Sequence, residues 1–235
     1  MTAVSRREFV GQAAAGLAAA TMMGRTGHAQ RVWEKAQWKI EDFNTLVHLP
    51  RQIKQVIDVS AIGEGKFLGN ARNSLNALHY GFGIPVDQIK IAVALHGPAN
   101  MLNYDDYVWD KYQIGEWLKV TDPKTGKPAT RNIFYPSRAG AALQYTSKDI
   151  NSDDSLYQDG SIQGLQARGV QFMSCHTANE EQARVLVKLR NLDQDPEVIV
   201  KDMLAHTVPG VMVVAGMVAA IALLQTQGHY SYLTI

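Results

Sequence analysis

Cys175 is the one cysteine in the chain, and it stands in Ser174-Cys175-His176-Thr177, directly after the apolar run Val170 to Ser174. With no second cysteine, an internal disulfide is impossible. The residue is either an inert packing group or a reactive thiol. A cysteine between a strand end and the start of a helix feels the partial positive charge of unpaired helix amides, which favours thiolate. A protonated His176 or His96 adds to that effect, whereas Glu180 and Glu181 in the first turn oppose it. His96 closes a second apolar run in Leu95-His96-Gly97-Pro98. It either tunes the thiol or caps a strand end by bonding to backbone. His176 is read either as a second tuning group or as a solvated side chain. His206, ahead of Val208-Pro209-Gly210, suits a charge at a helix C-terminus. Cys175, His176, His96 and His206 lack the tight spacing of metal ligands, so no metal and no cofactor is expected. Phosphate-cradling loops, the Gly-x-Ser-x-Gly elbow and haem-attachment motifs are absent from the sequence.

For these groups to meet, the runs carrying them must be neighbouring strands. Gln55 to Val59, Ile89 to Leu95, Val170 to Ser174, Val211 to Val214 and Tyr230 to Leu233 have the β-branched or apolar character of strands. Helical spacing separates them. Phe67, Ala71, Leu75 and Leu78 make one apolar stripe on a helix over about Gly65 to His79. Further helices are expected over about 99–112, with Tyr104, Tyr107, Trp109 and Tyr112 on an aromatic face, and over about 155–167 and 178–189. Asp195-Pro196 supplies an N-cap and a first-turn proline for a helix to about Ala205. The uncharged stretch Val208 to Leu224 is broken by Pro209-Gly210 and Gly216, so it reads as a turn, a strand and a buried helix over about 215–227 rather than a membrane span. Strands alternating with helices predict an α/β domain with a mainly parallel five-stranded sheet. Between about 115 and 154 the pattern weakens, and Asp122-Pro123-Lys124-Thr125-Gly126-Lys127-Pro128 marks a turn between β-prone pieces at Trp117 to Val120 and Asn132 to Tyr135. A hairpin-bearing insertion is the expectation.

The first thirty residues carry a different signal. Arg6-Arg7 and Phe9 precede an apolar stretch from Val10 to Met23, and Gly27-His28-Ala29 supplies small residues before Gln30. This order matches a twin-arginine (Tat) signal peptide over 1–29, cleaved after Ala29, with one domain over 30–235. A periplasmic location is the consequence. The full chain balances 23 basic against 22 acidic residues, and the mature part is close to neutral. No basic stripe appears, so neither nucleic acid nor an anionic membrane surface is an expected partner.

Gly169-Val170 leading to Cys175, the Val208-Pro209 turn, and the closing Gln227-Gly228-His229-Tyr230 together resemble the DsrE/DsrF-like (YchN-like) family. The resemblance covers roughly Gln52 to Ile235, excluding the insertion. It implies a three-layer α/β sandwich and assembly into homotrimers or larger rings. It also implies that Cys175 accepts sulfur as a persulfide from a donor protein and passes it to an acceptor. Outside that resemblance stands an oligomeric small-ligand or partner-binding module in which the cysteine is only structural.

Overall fold

The structure, a computed structural model, describes residues 38–136 and 145–235. The expected signal peptide over 1–29 lies outside them. Five strands form one sheet: β1 (Ile53–Val59), β2 (Ile89–Leu95), β3 (Gln171–Cys175), β4 (Met212–Val214) and β5 (Ser231–Thr234). Their order is β4-β3-β2-β1-β5, and every pairing is parallel. The expected α/β class and parallel sheet are therefore present, with helices on both faces.

Alternation along the strands sorts side chains between two cores, because successive residues point to opposite faces. Ile57 and Val59, then Ile91, Val93 and Leu95, then Phe172 enter the larger core. Val56, Ala92, Ala94, Met173 and Cys175 enter the smaller one. The smaller core is closed by α1 (Ile40–Val47), which contributes Phe43, Leu46 and Val47. Sequence reading missed α1, although Phe43, Leu46 and Val47 already show three-and-four spacing. Onto the larger core pack α2 (Lys66–Asn76), α3 (Asp106–Lys111), α4 (Ile114–Trp117), α5 (Ile162–Ala167), α6 (His176–Leu189) and α7 (Pro196–Ala205). The smaller core also receives Met217, Ala220, Ile221 and Leu224 from α8 (Met217–Thr226). Among the described residues no helix is long and apolar enough to cross a membrane.

Three expected elements differ. The helix over 99–112 is a 3-10 turn over Gly97–Asn103 followed by α3. Tyr104, Trp109 and Tyr112 are core residues there, while Tyr107 is exposed. The helix over 155–167 begins only at Ile162. Ser155 Oγ and Asp159 Oδ1 accept the amides of Tyr157 and Ser161 and so hold the preceding residues in turns, and Ser161 then caps α5 through Gly164 N. In place of a two-stranded hairpin, Trp117 ends α4, and the chain reverses through a single bridge between Thr121 and Pro128. Pro128 has no amide to extend a ladder. The reversal is held by Asp122, whose carboxylate accepts Lys124 N and both Nε and Nη2 of Arg131.

The Asp195 cap matches its expectation, with Oδ1 accepting Glu197 N at 2.9 Å and Pro196 opening α7. Asp195→Ala is expected to lower stability by about 1 kcal/mol, read as a reduced midpoint in urea with unchanged slope.

Candidate functional site

Parity along the strands decides which side chains share the carboxyl rim of the sheet. Val56 and Ala92 face the smaller core, so Asp58 and His96 point to that same side. His96 continues β2 by one residue in extended conformation, donating its amide to Val59 O at 3.1 Å. Leu95 pairs with Ser174, and the next step of that register sets His96 beside Cys175. Gly97 then turns the chain away at φ +51, where a Cβ would press on Ser60 O at 3.1 Å.

His96 Nε2 lies 2.7 Å from Asp58 Oδ1. A carboxylate only accepts, so Nε2 donates this bond, and Nδ1 is the nitrogen left to exchange a proton with a reacting group. The second Asp58 oxygen accepts the Tyr232 hydroxyl at 2.7 Å, and Tyr232 comes from β5, the neighbour of β1. This Tyr232-Asp58-His96 chain fixes the ring toward β1, whereas the sulfur of Cys175 is engaged on the β4 side.

Cys175 is the N-cap of α6, and its Sγ accepts Ala178 N at 3.4 Å. The pairing of Cys175 with Val214 brings the start of α8 alongside, and Met217 N donates to the same sulfur at 3.3 Å. Two helix N-termini therefore converge on one atom, the placement that favours negative charge on sulfur. Burial acts against it and is the larger influence. Cys175 is 5% exposed, and burial pushes the thiol up from its ordinary range, although the amides of Ala178, Met217 and Thr177 pull it down; Glu181 adds to the rise. At neutral pH the resting group is a thiol held by amides aimed at the sulfur.

The amide of Cys175 is held by Asn100 Oδ1 at 2.9 Å. Asn100 belongs to a buried polar network beneath the rim. Its Oδ1 also accepts Ser174 Oγ at 3.1 Å, and its Nδ2 donates to Gln182 at 3.1 Å and to Asn179. Tyr104 donates to Asn179, and Gln182 donates to Gly97 O. The turn after β2, the end of β3 and the first turns of α6 are thus one hydrogen-bonded unit.

Of the residues selected from sequence, the structure brings His96 and Cys175 to adjacent strand ends. His176 is buried, with its ring edge-on to Trp38 at 5.3 Å and Nδ1 3.6 Å from Glu180, itself paired with Arg184. His206 is the C-cap of α7, paired with Asp105 at 3.0 Å and stacked on Tyr107. Among the described residues no three His, Cys, Asp or Glu side chains converge as a metal site. Sequence reading missed Asp58 and Tyr232. A carboxylate one residue before the end of a buried parallel strand was the available signal for Asp58; Tyr232 gave none. Compared with family models the chain matches none, and the search among curated proteins likewise gives no match.

Proposed function

We propose that this chain is an exported, periplasmic carrier of sulfane sulfur that holds the sulfur as a persulfide on Cys175, in the manner of the DsrE/DsrF-like family. One observation carries the reading: Sγ accepts two amides from the N-termini of α6 and α8, with His96 on the neighbouring strand end. Thiolate and persulfide anion both gain from such amides.

The transfer involves no net oxidation. The Cys175 proton passes to His96 Nδ1, and the thiolate attacks the outer sulfur of a donor persulfide R–S–SH. The new Sγ–S bond forms as the donor S–S bond breaks, and the departing R–S⁻ takes the proton from His96. Loading at a thiol this buried requires a docked partner to open the rim. His176 shapes the same rim through Trp38 and Glu180.

Support for self-assembly, as homotrimers or a larger ring, comes from apolar groups left on the surface of α8 and β5. Val218 on α8 is 76% exposed, and Leu223 on the same helix and Tyr232 and Leu233 on β5 are exposed as well.

Burial of Cys175 favours a second reading, in which the sulfur only caps two helices in a non-catalytic binding module. Intact-mass analysis after incubation with polysulfide, under non-reducing conditions, separates the two. Carriage predicts a gain of one sulfur atom on the wild-type chain and none on Cys175→Ser. An unmodified wild-type chain sinks the transfer reading.

A further inference from the structure

At the other end of the sheet, away from Cys175, two arginines lie near enough to repel each other, and among the described residues no acid pairs with either. Arg72 lies on α2, and Arg168 is the C-cap of α5 just ahead of β3. Arg72 Nη1 donates to Gln158 O at 3.0 Å and Nη2 to Asn73 at 3.4 Å, while Arg168 Nη2 donates to Asn76 at 2.7 Å. Each guanidinium carries five N–H groups, so most of their donors have no acceptor among the described residues. Arg72 Nε and Arg168 Nη1 are buried and have no hydrogen-bond partner among the described residues.

Among the described residues neither arginine forms an ion pair with a carboxylate; their neighbours include the aromatic rings of Tyr157 and Tyr80. The Arg168 guanidinium lies 5.3 Å from the Tyr157 ring centroid, and Tyr80 meets Tyr157 edge-on at 5.4 Å. Burial disfavours the charge on Arg168, the two tyrosines offset this, and neighbouring Arg72 adds repulsion. If the arginines served only to anchor the Tyr157-Gln158 backbone, one would be enough. Asn76, one turn beyond Arg72, already donates to Tyr157 O at 3.0 Å. Two like charges with buried unsatisfied donors make an arrangement that an anion would complete.

We infer that Arg72 and Arg168 form a binding site for a small doubly charged oxyanion, phosphate or sulfate, which bridges the two guanidinium forks. The planar forks match pairs of oxygens on a tetrahedral anion. Entry is through the Tyr157-Gln158 segment, which the side-chain bonds from Arg72 and Asn76 tie to α2. The site is independent of the sulfur chemistry.

Calorimetric titration of the purified chain with phosphate and with sulfate, against chloride at matched ionic strength, tests it. The expected result is saturable binding of one or both oxyanions, weakened about tenfold or more in Arg72→Gln and in Arg168→Gln. Arg184→Gln, which removes an arginine paired with Glu180 on another helix, leaves it unchanged. Far-ultraviolet dichroism reports whether each variant is folded. If Arg168→Gln does not fold, the wild-type and Arg72→Gln titrations decide. Heats no different from chloride, or equal affinity in a folded arginine variant, overturn the assignment.

Discussion

Asn100→Ala is expected to lower the unfolding free energy by about 3–5 kcal/mol, measured by urea denaturation. The side chain is wholly buried and joins the Cys175 amide, Ser174, Asn103, Gln182 and Asn179. Alanine removes an acceptor used by several of these groups and gives nothing in return. Each buried partner left without a bond costs about 1–3 kcal/mol, partly relieved where a neighbour or water can substitute. Because the same oxygen anchors the residue after Ser174, the variant should also alkylate faster at Cys175. A loss below about 1 kcal/mol, within the range of ordinary surface substitutions and single weak bonds, would show that the network is not the keystone of the rim.

Cys175 of the native chain is expected to alkylate at least about tenfold more slowly at neutral pH than in denaturant, since both exposure and thiolate fraction are reduced. The rate should climb as pH passes above the ordinary thiol range, because burial holds the folded thiol up. Stability follows with a definite sign. The unfolded chain gives up its thiol proton first, so this contribution is full below the unfolded pKa and is lost as pH rises through the folded value. Cys175→Ala lacks that alkaline loss. Equal rates in native and denatured chains would show that the thiol is open, contrary to its 5% exposure.

Much of the architecture was legible because it rests on local pattern. The run Ile89 to Leu95, apolar except for Lys90, is β2 to the residue, and Asp195-Pro196 marks the start of α7. What failed was set by competition that a periodicity count does not weigh. Ser155 and Asp159 take backbone amides that a helix would have used, and Pro128 limits a hairpin to one bridge. The position of Cys175 between strand and helix was readable, as was its placement on the same rim as His96. Its burial was not, since that depends on α8 arriving alongside through the Cys175 and Val214 pairing. Tyr232 is separated from Asp58 by most of the chain. Only the β1 and β5 register joins them, and short-range reading has no access to that pairing.

The outermost strand β5 has surface-exposed side chains throughout, yet it shields the flank of β1 and keeps the Asp58 carboxylate engaged. Removing β5 would therefore do more than strip an exposed strand. Once Tyr232 is gone, Asp58 loses a donor, the imidazole it steadies gains freedom, and the backbone edge of β1 opens to solvent. Strand β5 is thus a latch for the His96 side of the rim, and a purification tag is better carried in the exposed Lys124 to Gly126 turn than beside that strand.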